Sequence, residues 1–129
     1  MEELLVKEIM TRGVVTCNPE MTLTEVARLL SDADVSAVVV VDQQGRLQGV
    51  VSQFDLLEYF GKGLDAVTAG EIMTTPVVSV LPDDTVKCAA DEMRKRRVHR
   101  LVVADEEKTR VLGVVSATDV IRTMRGLGV

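Results

Sequence analysis

Gly49-Val50-Val51-Ser52-Gln53-Phe54-Asp55 returns 64 residues later as Gly113-Val114-Val115-Ser116-Ala117-Thr118-Asp119. Toward the N-terminus the correspondence continues at an offset of 63. Glu8-Ile9-Met10-Thr11 repeats as Glu71-Ile72-Met73-Thr74, Val14-Val15 as Val77-Val78, Pro19 as Pro82, Thr22 as Thr85 and Val39-Val40 as Val102-Val103. The two aligned stretches hold 18 identities in 42 pairs. Chance would supply about two or three at ordinary composition. The chain is an internal duplication, with too long a period and too few copies for a solenoid.

Each copy carries the same local pattern. A short β-branched run (Val14 to Thr16; Val77 to Val80) ends near a proline, and a threonine then opens a helix. Thr22 and Glu25 have capping-box spacing, whereas Thr85 is followed by Cys88 in place of the glutamate, so the second cap is weaker. Leu23, Val26, Ala27 and Leu30, and again Val86, Ala89, Ala90 and Met93, form the apolar stripe of an amphipathic helix. Two valine-rich strands follow, Val38 to Val41 and Leu47 to Val51, around the turn Asp42-Gln43-Gln44-Gly45; the second copy has Leu101 to Ala104 and Val111 to Val115. A helix closes each copy, Gln53 to Phe60 and Thr118 to Arg125. The predicted fold is α/β of the α+β type: two β-α-β-β-α repeats, residues 1–60 and 69–129, joined by a linker at 61–68. A unit this small is marginal alone. Continuous apolar strands expect cover on both faces, so the two copies are expected to pack about a pseudo-twofold axis with paired clefts where they meet. Such clefts commonly hold ligands.

Composition narrows the function. The 129 residues are 47% hydrophobic and 27% charged, with a formal net charge of -5. Twenty Asp and Glu against 15 Lys and Arg argue against a general nucleic-acid binder. Valine supplies 24 residues and the aromatics number three (Phe54, Tyr59, Phe60), too few to stack several bases on rings. No apolar run approaches the ~20 residues of a membrane span, and no basic-then-apolar leader opens the chain, so a cytoplasmic location is expected. Cys17 and Cys88 have no CxxC spacing and His99 is the single histidine. No metal site is therefore expected, and both cysteines read as buried or half-buried thiols. With no nucleophile–base pair either, the chain is not expected to be an enzyme.

The residues left over point to ligand binding. Asp55 and Asp119 each follow a serine by three positions, at the start of a helix that follows a strand. Ser52 and Ser116 are natural helix caps, with the aspartates favourable in the first turn. A carboxylate at a strand end can also accept hydrogen bonds from vicinal hydroxyls, as an acidic residue does for ribose in dinucleotide-binding folds. Both roles can hold together. The second candidate is basic: Arg94-Lys95-Arg96-Arg97, then His99-Arg100. The matching stretch of the first copy, Ser31-Asp32-Ala33-Asp34, then Ser36-Ala37, carries -2 where the second carries +5. Arg94 to Arg96 suit a helix C-terminus and a solvated face. Arg100, just ahead of an apolar strand, is placed to grip a phosphate bidentately, and His99 beside it is either a ligand contact or a structural residue.

The duplicated pattern resembles a tandem pair of CBS domains, a Bateman module, over about Val6 to Arg125. The residues that carry it are EIMT ahead of each first strand, VSAVVVVDQQGRLQGVVSQFD in the first copy, and VHRLVVAD with GVVSATD in the second. These stretches are similar to the adenine-nucleotide-sensing modules of the AMP-activated kinase gamma-subunit type. The resemblance implies that Ser52 with Asp55, and Ser116 with Asp119 and Thr118, contact ribose. It implies that adenine reads backbone groups of the opposite copy: Val77, Val78, Ser79, Val98 and His99 for Asp55, and Val14, Val15, Thr16, Val35, Ser36 and Ala37 for Asp119. It assigns phosphate to His99 and Arg100, and Ser36-Ala37 departs from that basic pattern.

The reading is thus a regulatory module that senses AMP, ADP or ATP and relays binding by shifting the packing of its copies. The nucleotide is a regulatory ligand and no cofactor is required. The partners implied are a homodimer mate and an effector protein, with no nucleic acid and no membrane. Two alternatives stand beside it: a ligand-free dimerisation scaffold, and a binder of another adenosyl ligand such as S-adenosylmethionine or NADH.

Overall fold

The computed structural model describes residues 3–126. Two three-stranded sheets carry the chain. In the first, β1 (Thr16–Cys17) pairs in parallel with β2 (Ala37–Val41), and β2 pairs antiparallel with β3 (Leu47–Ser52). In the second, β4 (Ser79–Val80), β5 (Arg100–Ala104) and β6 (Val111–Ser116) repeat that arrangement. The registers match residue for residue: Ala37 opposes Ser52 as Arg100 opposes Ser116, and Val40 opposes Gly49 as Val103 opposes Gly113. The duplication read from the sequence is therefore a duplication of hydrogen-bond register, and the mixed α/β class holds.

Helices follow the apolar stripes. Between β1 and β2, α2 (Leu23–Ala33) buries Leu23, Val26 and Leu30; α5 (Val86–Arg96) buries Val86, Ala89 and Met93. The Thr22–Glu25 capping box closes in both directions. The Glu25 N–H donates to Thr22 Oγ1 at 3.3 Å and the Thr22 N–H to Glu25 Oε1 at 3.0 Å. At α5 only one such bond is made, from the Cys88 N–H to Thr85 Oγ1 at 3.1 Å, so the missing glutamate weakens the second cap as expected. Both helices end on a left-handed residue, Asp34 (φ 53°) and Arg97 (φ 55°). The closing helices are α3 (Gln53–Leu57) and α6 (Ala117–Gly126). The first stops three residues short of the expected Phe60. From there Tyr59, Phe60 and Lys62 donate to carbonyls three residues back, tightening the chain into turns that reach Gly61 at φ 82°.

The first strands are shorter than the β-branched runs suggested. Val14 and Val15 lie ahead of β1, although the Val15 carbonyl still accepts from the Val39 N–H at 3.0 Å. Two short helices were not anticipated: α1 (Val6–Ile9) and α4 (Ala69–Ile72). They contain the first half of each EIMT repeat, Glu8-Ile9 and Glu71-Ile72, and their packing explains why that motif recurs. The chain resolves into two compact units: one runs from Val14 to Val77, and the other joins residues up to Gly13 with those from Val78 onward. The first EIMT segment thus belongs with the second sheet and the second EIMT segment with the first. Thr11 and Val114 exchange two backbone bonds of 2.9 Å, and Thr74 and Val50 exchange bonds of 2.9 and 3.2 Å. Val6 and Ala69 are fully buried in the two respective cores.

The glycine of each GVVS strand makes room for this arm. A Cβ on Gly49 would meet the Met73 side chain at 2.6 Å, and one on Gly113 would meet the Thr11 carbonyl oxygen at 2.6 Å and Met10 Sδ at 3.0 Å. Each core is aliphatic: Val80, Leu101, Val103 and Val115 in one, Val26, Leu30, Val38, Val40 and Val51 in the other. Cys17 is buried, and burial pushes its thiol up to about 11, whereas Cys88 is exposed. The expectation that both cysteines are at least half-buried fails at Cys88, which occupies the exposed side of α5 between Val86 and Ala89.

Each hairpin turn is organised by an aspartate. Asp42 Oδ1 accepts from the Gln44 and Arg46 N–H groups at 2.9 Å; Asp105 accepts from the Thr109 hydroxyl at 2.8 Å and from the Thr109 and Arg110 N–H groups. Both carboxyls are held below their ordinary range, Asp42 chiefly by the Arg46 N–H and Asp105 chiefly by the Thr109 hydroxyl. A folded pKa below the unfolded value of about 3.9 gives stability that is present at neutral pH and lost as pH falls through the folded value. Asp42→Asn with Asp105→Asn should therefore lose less melting temperature between pH 7 and pH 3 than the parent. An equal loss in a calorimetric pH series would refute that assignment. Gly113→Ala should cost about 1–3 kcal/mol by overpacking against backbone. Gly49→Ala should cost less, because a methionine side chain can move aside. Urea unfolding of the two variants checks the order.

Candidate functional site

The strand ends where β3 and β6 run into α3 and α6 bring the serine–aspartate pairs into one geometry. The Ser52 N–H donates to Asp55 Oδ2 at 2.9 Å, and the Asp55 N–H donates to Ser52 Oγ at 3.2 Å. In the other unit the corresponding distances are 2.8 and 3.2 Å for Ser116 and Asp119. Each pair is a reciprocal capping box, so the aspartate is part of the cap and does not simply stand beside it. One carboxylate oxygen is committed by this. The other, Oδ1, makes no hydrogen bond among the described residues at Asp55, and at Asp119 lies 3.7 Å from Arg122 Nη1. Each serine oxygen accepts from the helix, leaving its hydroxyl proton to donate elsewhere. All four residues are half-buried. A partly sheltered carboxylate oxygen next to a hydroxyl donor can recognise a vicinal diol.

Two backbone carbonyls fix these boxes to the preceding connector. The Gln53 N–H donates to the Ser36 carbonyl at 2.9 Å, and the Ala117 N–H to the His99 carbonyl at 2.7 Å. The Gln53 side chain adds a 3.4 Å bond to the Val35 carbonyl. His99 therefore has a structural job through its backbone while its imidazole is exposed. Sequence reading missed these carbonyl anchors, because any residue can supply one. Arg122 was also missed, although its i,i+3 spacing from Asp119 was visible.

Most of the other candidate residues gather at the same sheet ends. Arg100 and Ser116 are cross-strand partners at the edge of the second sheet and so share a face. Ala37 and Ser52 hold the equivalent places in the first sheet. In the unit from Val14 to Val77, Val14 and Val15 precede β1, Thr16 opens it, and Val35 and Ser36 precede β2. Val77 falls at the end of that unit. In the other unit, Val78 packs on the core just before β4, Ser79 opens β4, and Val98 and His99 lead into β5. Thr118 is exposed on the first turn of α6. Among the described residues no three His, Cys, Asp or Glu side chains are grouped to hold a metal ion. No described helix is long and apolar enough to cross a membrane.

Comparison with known proteins agrees with this architecture. The chain belongs to the CBS domain family, whose pattern matches residues 6–62 and again 69–126. A CBS pair is a regulatory ligand-binding module. The chain is 27% identical, with a TM-score of 0.87, to the CBS domain pair of protein MJ0100 solved with 5′-methylthioadenosine and S-adenosyl-L-methionine, covering 97% of this chain and 98% of that one. It is 30% identical, with a TM-score of 0.84, to the CBS domain of a bacterial CNNM/CorC family Mg2+ transporter solved with ATP, covering 95% and 88%. It is also 28% identical over 95% of its length to L-aspartate semialdehyde sulfurtransferase of Methanocaldococcus jannaschii, of which it spans 23%. The chain thus covers less than a quarter of that curated relative's length.

Removing the serine cap should loosen the closing helix without emptying the core. Ser52→Ala and Ser116→Ala are each expected to cost about 1 kcal/mol, a melting shift of a few degrees for a chain of this size. Calorimetry that found no loss in either variant would exclude the cap as a structural element.

Proposed function

We propose that this chain is a non-enzymatic regulatory module whose two serine–aspartate boxes each bind the ribose of an adenosyl ligand: AMP, ADP, ATP or a relative such as S-adenosylmethionine. The observation that carries the reading is the duplicated box itself, with one hydroxyl proton left for a ligand in both units and a second carboxylate oxygen that makes no hydrogen bond at Asp55 and lies 3.7 Å from Arg122 Nη1 at Asp119. Adenine lies on the aliphatic strand starts, at Val14 to Thr16 with Val35 to Ala37, and at Val77 to Ser79 with Val98. Backbone groups there read its edge, since no aromatic residue stands among them. Arg100 and His99 take the phosphates. The solved relatives with methylthioadenosine, S-adenosylmethionine and ATP support the ligand class. The module acts as a homodimer that signals to an effector protein. Two unpaired thiols suit a reducing cytoplasm.

The two boxes are not equivalent. Arg100 stands opposite Ser116, whereas uncharged Ala37 stands opposite Ser52. A guanidinium grips phosphate and does nothing for a thioether, so Arg100 sorts phosphorylated ligands from unphosphorylated ones.

Isothermal titration with AMP, ATP and 5′-methylthioadenosine is the test. Asp55→Ala with Asp119→Ala should abolish binding of all three. Arg100→Ala should weaken AMP and ATP by about tenfold or more, as expected for loss of a charge-assisted pair, while leaving methylthioadenosine within about twofold. A parent protein that ignores all three ligands at millimolar concentration would refute the proposal.

A further inference from the structure

The two serine–aspartate boxes share their bonds but not their surroundings. In each, one carboxylate oxygen accepts from the serine N–H, and the serine oxygen accepts from the aspartate N–H. The difference lies three residues on. At Asp55 that residue is Glu58, and among the described residues no cation stands within 4 Å of the Asp55 carboxylate. At Asp119 it is Arg122, whose Nη1 lies 3.7 Å from Oδ1, the oxygen that the capping box leaves over. The Asp119 side chain is 14% exposed and that of Arg122 68% exposed, so a sheltered carboxylate meets a cation that reaches it from solvent. Arg122 makes no other ion pair among the described residues.

A ribose that approaches the Asp119 box needs the oxygen beside Arg122, so its diol must displace the guanidinium. That exchange costs little, because an exposed ion pair changes an equilibrium by no more than about fivefold. Where the guanidinium goes next depends on the ligand. A 5′-phosphate sits one sugar ring away from the diol, within the swing of a flexible arginine side chain, and offers a second anion in bidentate geometry. A 5′-methylthio group offers none. Charge adds to the contrast. An unscreened carboxylate repels a phosphate bound beside it, and Arg122 offsets that charge, whereas Glu58 at the equivalent place in the other unit adds to it.

We infer that Arg122 is a specificity-determining residue of the Asp119 box: it holds Oδ1 before a ligand arrives and passes to the phosphate when a phosphorylated adenosyl ligand takes that oxygen. It therefore acts against ligands without a phosphate and in favour of ligands with one. Arg100, across the strand pair from Ser116, can only attract phosphate. Arg122 does both, because it starts on the carboxylate that anchors the sugar. The Asp55 box has no such residue and takes unphosphorylated adenosyl ligands without competition. The inference rests on the ribose role proposed for the two boxes and adds the residue that makes them differ in ligand class.

AMP and 5′-methylthioadenosine are a matched pair of probes, since they share adenine and ribose and differ only at the 5′ substituent. NMR titration of the isotopically labelled chain reads each box by itself through the amides of Asp55 and Asp119, which are bonded within the boxes. Arg122→Ala should weaken AMP at the Asp119 amide about threefold or more and tighten methylthioadenosine there about two- to fivefold. The Asp55 amide should titrate as in the parent. Glu58→Arg should transfer the property, because the backbone at Glu58 is still helical (φ -60°, ψ -25°) and gives an arginine there the same spacing from Asp55. It should weaken methylthioadenosine and tighten AMP at the Asp55 amide by similar factors. Circular dichroism confirms that each variant is folded. Opposite signs for the two ligands are the signature, since a merely structural loss weakens both. Affinities at the Asp119 amide that move in the same direction in Arg122→Ala, or do not move, refute the role of Arg122 alone. So does a parent in which only the Asp55 amide responds. A parent in which neither amide responds to either ligand at millimolar concentration refutes the proposed function, and the role of Arg122 with it.

Discussion

The structure depends on a close approach of backbone to backbone that only glycine permits. At Gly113 the Thr11 carbonyl passes where a Cβ would stand, and at Gly49 Met73 fills that space. These approaches let a short arm pair with the sheet next to its antiparallel edge, bury Val6 or Ala69, and present a finished face to the core. Once the arm is seated, β3 and β6 are held on both sides. The serine–aspartate boxes at their ends then have a fixed base. The geometry of those boxes is thus linked to packing some distance along the same strand.

Much of this was legible in the sequence because duplication makes each half a check on the other. Strand–helix–strand–strand–helix could be read twice from valine runs and capping residues. The structure adds that the two copies share one register, down to the serine opposite residue 37 or 100. What could not be read was partnership. EIMT was conspicuous as a tetrapeptide kept whole in both copies, yet four residues are too few to show a period, and its partner strand lies in the other repeat. The same limit applies to the site. Spacing identified Ser52, Asp55, Ser116 and Asp119, but whether the aspartate would face outward or close the cap depended on side-chain geometry that spacing does not encode. The structure shows it doing the second with one oxygen, while the other makes no hydrogen bond at Asp55 and lies beside Arg122 at Asp119. The exposed Cys88 was misjudged for a related reason: composition says how often cysteines are buried, not which side of α5 this one occupies.

The two repeats have kept their frame and diverged at their edges. Core positions stay apolar: Val40 matches Val103, Val51 matches Val115, Leu23 matches Val86, Leu30 matches Met93 and Val26 matches Ala89. The residues flanking the candidate site and the closing helices have exchanged charge: Ala37 for Arg100, Asp34 for Arg97, Glu58 for Arg122. Buried positions in a close-packed interior tolerate little change in volume. Exposed ones are free to specialise, and a duplicated chain can give each half a different surface on one scaffold.

The exchange of arms also sets how the chain comes together in time. The unit from Val14 to Val77 is one uninterrupted stretch, whereas the other needs residues near Thr11 to meet residues near Val114. During synthesis the uninterrupted unit has all its parts once Val77 emerges. The first arm meets its earliest partners only at Pro82, Asp84 and Val86, and Thr11 must wait for Val114. Long-range closures of this kind are slow, so Val6 stays unburied at least until the residues around Asp84 and Thr85 have been made. A pull applied at Glu3 and Gly126 would act in reverse order, loading the split unit first and leaving the continuous one to bear force only after it has opened.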